Sequence, residues 1–120
     1  MSKHCKKLSD LENLESNLYG NDFLLTSEKT NAELELVLGA ADMLKSMHQQ
    51  NISSRVFDTG LAISIFRDQS TRTRFSFASA TNLLGLAHQE FEEGKSQVAH
   101  GETVRETANM ISFLSETIGI

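Results

Sequence analysis

A chain of 120 residues with 39% apolar and 22% charged side chains has room for one soluble globular domain and a modest core. Its net charge of -5 argues against general nucleic-acid affinity, so Arg67, Arg72 and Arg74 form a local positive cluster that suits a small anion better than a long polyanion. The single cysteine, Cys5, can form neither an internal disulfide nor a thiolate zinc site, and no apolar run approaches membrane-spanning length. The first residues, Met-Ser-Lys-His-Cys-Lys-Lys, lack the apolar core of a secretion signal, so a reducing, cytoplasmic setting without a membrane partner is expected.

Leu8, Leu11, Leu14 and Leu18 recur at helical spacing and predict a short amphipathic helix over 6–18. Gly20-Asn21-Asp22 reads as a turn, and Phe23-Leu24-Leu25 as an apolar plug packed on the body. Thr30 followed by Glu33 matches a capping box opening a helix that runs to about Gln49. Leu34, Val37, Leu38, Ala41 and Leu44 lie along one of its faces, which reads as core. A polar connection, 51–60, leads into the Ile-rich run Leu61 to Phe66, a candidate buried strand. After a polar turn the helical spacing of Phe75, Phe77, Ala78, Leu83 and Leu84 predicts a second long helix, stopped by Gly85. Leu86 to Phe91 reads as another short strand, Glu92 to Gly101 as a polar loop, and Glu102 to Thr117 as a helix with Val104, Ala108, Ile111 and Leu114 on one face. Its last turns are placed at Ser112–Ile118, with Gly119 in the C′ position. Strands separated by helices predict an α/β fold with a parallel sheet flanked by helices. A further strand should begin after Gly119, and proline is absent throughout, so the sequence is expected to be incomplete at its C-terminus.

Chemistry concentrates at Ser70-Thr71-Arg72-Thr73-Arg74, between the first strand and the second long helix. The first N–H groups of a helix have no internal partner, and the macrodipole adds roughly half a positive charge there. Three hydroxyls supply further donors, and Arg72 offers a planar fork matched to two phosphate oxygens. A hydroxyl at a helix start is also commonly just a cap, and arginines there often only face water. Yet the dipole disfavours arginine at this end, and two of them suggest an anion that offsets the mismatch. Gly94-Lys95-Ser96 resembles the end of a Walker A loop, but Gln89 stands where that loop needs its first glycine. His88 and His100 on either side of Glu92–Glu93 fit no metal-site spacing and read as solvated, and His4 and His48 carry no signal.

The residues go further than an anion site. Phe66-x-x-x-Ser70-Thr71-Arg72-Thr73-Arg74-x-Ser76-Phe77-x-x-Ala80, followed by Leu84-Gly85, closely resembles the carbamoyl-phosphate signature of the aspartate/ornithine carbamoyltransferase superfamily. The run Ser96-Gln97-Val98-Ala99-His100-Gly101-Glu102-Thr103-Val104-Arg105-Glu106-Thr107-Ala108 resembles that family's next loop and helix. Together the blocks cover residues 61 to 118. Asp22-Phe23-Leu24-Leu25-Thr26, Ser70 to Ser76 and His100-Gly101-Glu102-Thr103 are most similar to the YgeW-type branch, which has no assigned acceptor. Where related enzymes carry a loop lysine, this sequence has His100 and Gly101, which sets it apart from ordinary aspartate or ornithine specificity.

The resemblance implies that residues 1–120 are a carbamoyl-phosphate-binding domain. Ser70, Thr71, Arg72 and Thr73 would hold the phosphate, with Ser96 and Gln97 contributing from the second loop, which in this family often reaches a neighbouring subunit of a trimer. Arg72 and Thr73 are the implied catalytic residues: Arg72 for charge on the departing phosphate, Thr73 as donor to the carbonyl oxygen. Attack by an amino-acid-like amine would need no metal or other cofactor, positioning and charge stabilisation supplying the rate. The family's third-strand arginine, its His-Pro-x-x-Gln block and its amine-binding domain do not occur in these 120 residues. The chain alone is therefore expected to carry half a site without turnover. A non-catalytic phosphate-binding module retaining half of the fold is the alternative.

Overall fold

An Ile-rich run with no polar alternation belongs in a strand buried on both faces, and Leu61–Ser64 forms such a strand, with Ala62, Ile63 and Ser64 all buried. The computed structural model describes residues 14–67, 70–92 and 103–120. They fall into two units that divide after Ser53.

In the second unit, β1 (Leu61–Ser64), β2 (Ala87–Glu90) and β3 (Thr117–Gly119) pair in parallel in the order β2-β1-β3. Ala62 stands opposite His88 on one side and Thr117 on the other. The ladder runs on past the strand ends, where Phe91 N–H donates to Ser64 O and Ile65 N–H donates to Gly119 O, each at 2.8 Å. The helix Thr71–Leu84 links β1 to β2 and packs on both; Val104–Leu114 forms the helix between β2 and β3. Numbering the helices in chain order, with Asn31–Gln49 of the first unit as α1, these two are α2 and α3. Leu86 and Ile111 join Ala62 and Ile63 in the small apolar core.

Gly85 ends α2 as expected. Its φ of +101° is a left-handed conformation, and a Cβ there would fall 2.0 Å from the carbonyl oxygen of Phe57. The next helix departs from expectation. It stops at Leu114, Ser115 is extended, and Thr117–Gly119 is already strand. Residues Ser115 to Ile118 carry nothing that forbids another helical turn, so long-range pairing decided: Glu116 N–H donates to Leu61 O at 2.9 Å and its carboxylate accepts from Leu61 N–H. Gly119 is thus a close-approach residue within a strand and not a helix stop. A Cβ on it would lie 2.6 Å from the Phe77 ring.

In the first unit, α1 begins at the expected capping box: Glu33 N–H donates to Thr30 Oγ1 at 3.2 Å and Thr30 N–H to Glu33 Oε2 at 2.8 Å. The helix expected over 6–18 lies largely outside the described residues, and Leu14–Leu18 are irregular. Asn17 N–H instead donates to the buried Glu33 carboxylate at 3.1 Å. A 3-10 turn, Thr26–Glu28, precedes the capping box. Phe23, Leu24 and Leu25 are exposed and not an embedded plug, and Val37, Leu38 and Ala41 on the apolar face of α1 are exposed too. Among the described residues no helix is long and apolar enough to cross a membrane.

Candidate functional site

Strand order makes β1 special. The chain leaves β1 to build β2 on one side, then crosses over to place β3 on the other. Such a reversal is the point at which open parallel sheets bind ligands, outside the carboxyl ends of the strands. The connection that starts at this end of β1 leads into α2, so the Ser70–Arg74 run sits at the switch point.

The N-terminus of α2 is open. Ser70 occupies the cap position but makes no capping hydrogen bond, and the first turn holds no acidic residue. Its hydroxyl instead lies 2.9 Å from Thr73 Oγ1. Among the described residues, the first backbone N–H groups of α2 therefore have neither an intrahelical acceptor nor a side-chain cap. Ser70, Thr71, Arg72 and Thr73 are all exposed around them. Arg72 has no ion-pair partner among the described residues. Hydroxyls, unpaired N–H groups, helix dipole and a guanidinium converge here, an arrangement that can hold a phosphate.

Arg74 does not belong to that arrangement, contrary to the expectation that both arginines face an anion. Its Nη2 donates to Phe66 O at 2.8 Å, and Nη1 forms an ion pair with Glu90. Only Arg72 is left to offset against the dipole. His88, expected to be solvated, is half-buried on β2, with Nε2 2.8 Å from the buried Ser64 hydroxyl. Its ring meets the edge of Phe77, which packs in turn against Phe66 with centroids 5.5 Å apart. The alternation Ala87-His88-Gln89-Glu90 carried the missed signal, because both inward positions of β2 are polar. Ser96, Gln97, His100 and Gly101, and the Gly94-Lys95-Ser96 sequence, lie outside the described residues. Among those described, no group of three metal-ligating side chains occurs.

The charged caps sit elsewhere. At α3, Thr103 N–H and its hydroxyl both donate to Glu106 Oε2 at 2.8 Å, holding that carboxyl below its ordinary range. Glu33 is lowered likewise, first by the Thr30 backbone N–H and next by that of Asn17.

The family model for the aspartate/ornithine carbamoyltransferase carbamoyl-P binding domain matches residues 21–120. YgeW of Escherichia coli (strain K12), a protein named as a carbamoyltransferase, is 62% identical over 113 residues, covering 94% of this chain and 28% of YgeW. The ornithine carbamoyltransferase of Parafrankia sp. (strain EAN1pec) is 35% identical over 99 residues, 82% of this chain and 31% of that protein. In fold, the aspartate transcarbamoylase of Trypanosoma cruzi, solved with carbamoyl aspartate and phosphate, superposes with a TM-score of 0.72 at 19% identity, over 82% of this chain and 32% of that one. The chain thus spans less than a third of the length of these relatives.

Proposed function

The chain belongs to the aspartate/ornithine carbamoyltransferase family, and on that premise we propose that it supplies the carbamoyl-phosphate half of a carbamoyltransferase site. One observation carries the reading: α2 begins uncapped, with Ser70 and Thr73 hydroxyls side by side and Arg72 exposed, at the switch point of the sheet. The phosphate of carbamoyl phosphate takes the acceptor positions that a cap leaves empty. Ser70 and Thr71 turn their hydroxyls to its oxygens, Thr73 offers its backbone N–H, and Arg72 pairs with it through two N–H groups.

In this reading an amine of an amino-acid-like acceptor attacks the carbamoyl carbon. Its lone pair forms the new C–N bond, the C–O bond to phosphate breaks, and the departing phosphate takes up the proton that the nitrogen loses. Charge builds on the departing phosphate, where Arg72 and the α2 N-terminus meet it, while Thr73 donates to the carbonyl oxygen. The acceptor is bound by parts of the longer protein, and Ser96 and Gln97 complete the carbamoyl-phosphate site, in a trimer from a neighbouring subunit. Residues 1–120 form the carbamoyl-phosphate-binding domain, and the protein works in the cytoplasm without metal, nucleic acid or membrane.

Calorimetric titration of carbamoyl phosphate and inorganic phosphate into the intact protein, with Arg72→Ala as control, tests this. Binding that prefers carbamoyl phosphate and disappears in the variant is expected. A folded wild-type protein that binds neither, or an Arg72→Ala protein that binds as wild type, overturns it.

A further inference from the structure

Arg74 is a cation one helical turn from a site for an anion, yet its guanidinium is engaged by other groups. The side chain reaches back past the start of α2 to Phe66 O, two residues beyond the end of β1. The same group pairs with Glu90, the last residue of β2. Three structures meet in this one guanidinium: the carboxyl ends of two neighbouring strands and the first turn of α2. The strands are already tied at this level by Phe91 N–H donating to Ser64 O. Phe66, whose carbonyl Arg74 holds, is fixed on its other side by the ring of Phe77.

We propose that Arg74 and Glu90 act as one positioning unit for the phosphate-binding turn, and that neither touches the ligand. This rests on the reading that the α2 N-terminus holds the phosphate. Glu90 fixes the guanidinium in the orientation that holds Phe66 O. The pair is only partly exposed, at 27% and 36% for the two side chains, so solvent screens it incompletely. A guanidinium suits this role because its planar fork can serve a carbonyl and a carboxylate together, which an ammonium does less well.

A direct ligand role and a positioning role give opposite signs for Glu90. Were Arg74 an anion ligand held back by Glu90, removing the carboxylate charge would release it and tighten binding. As a positioning partner, Glu90 is needed, and its loss weakens binding.

The test uses the intact protein as wild type, Glu90→Gln, Arg74→Gln, the double variant and Arg74→Lys, at a temperature where circular dichroism shows all of them folded. Carbamoyl phosphate and inorganic phosphate are titrated calorimetrically. Each single Gln variant should weaken both ligands about tenfold, the scale of one charge-assisted hydrogen bond. The double variant should be no weaker than either single one, and Arg74→Lys should recover part of the loss. A merely structural role would shift the melting temperature and leave the affinity of the folded protein unchanged. Tighter or unchanged binding by Glu90→Gln overturns the inference, as does simple additivity in the double variant. Should wild type bind neither ligand, the proposed function falls. The positioning role is then read from exchange of the residue 74 amide, which donates to Ser70 O at 3.1 Å and reports the first turn of α2. Faster exchange in Glu90→Gln upholds it, and unchanged exchange removes it.

Discussion

The N-termini of α2 and α3 solve the same problem in opposite ways. Both helices follow a strand and a connection, and both have a hydroxyl residue in the cap position. At α3, Thr103 and Glu106 close a reciprocal box that satisfies the helix with its own side chains. At α2, Ser70 and Thr73 stand at the same separation, but threonine replaces the glutamate and cannot reach back as a carboxylate. Its hydroxyl bonds Ser70 Oγ instead, and the backbone donors stay open. Filling these positions from within stabilises a helix. Leaving them open keeps them for an anion.

That contrast can be broken outright. Arg72→Ala should lower carbamoyl-phosphate affinity more than the loss of any one hydroxyl, because two lost charge-assisted bonds amount to about 3 kcal/mol, roughly a hundredfold in Kd. Thr73→Glu would give α2 the Ser-x-x-Glu pattern of a capping box. It should stabilise the fold by about 0.5 kcal/mol and yet abolish phosphate binding, since its carboxylate occupies the ligand's place; a variant that still binds phosphate would falsify the site. Cap deletion should separate the two helices in the other direction. Thr103→Ala is expected to cost about 1 kcal/mol in denaturant unfolding. Ser70→Ala, which loses no cap bond, should cost less than about 0.5 kcal/mol while weakening phosphate binding. Equal losses of stability would mean that α2 is capped after all. The smallest effect is in acid. Glu33 and Glu106 both titrate below the ordinary value of 4.5, so their stabilisation is full above that pH and is lost as pH falls through the lower folded values. Residue-resolved amide exchange between pH 5 and 3 should show the first turns of α1 and α3 opening while that of α2 stays unchanged.

Much of this was legible in the chain because it is local. The Thr30–Glu33 box, the glycine stop at Gly85 and the strand at Leu61 depend on near neighbours, and the structure has all three where sequence spacing puts them. The Ser70–Thr73 run was legible for the same reason, as hydroxyls and an arginine at a helix start. Illegible were the features settled by residues far apart in sequence. Nothing around Arg74 distinguishes it from Arg72; its partner Glu90 is 16 positions away and becomes a neighbour only when β2 pairs with β1. His88 reads as a solvated histidine until the register of β2 turns it toward Ser64.

The C-terminal segment shows where the division falls. Ser115 to Ile118 could extend α3 by another turn on local preference alone, because helical spacing and small polar residues permit it. An open edge of β1 lay alongside, and pairing there satisfies the backbone of both segments at once, with Gly119 admitting the Phe77 ring. By itself the sequence determined the capping box that opens α1, the glycine that ends α2 and the strand at the centre of the sheet, because those depend on side chains within a few positions of one another. Tertiary structure decided which arginine is tied to Glu90 and where the last helix ends, because a charge partner or a strand neighbour exists only once distant segments meet.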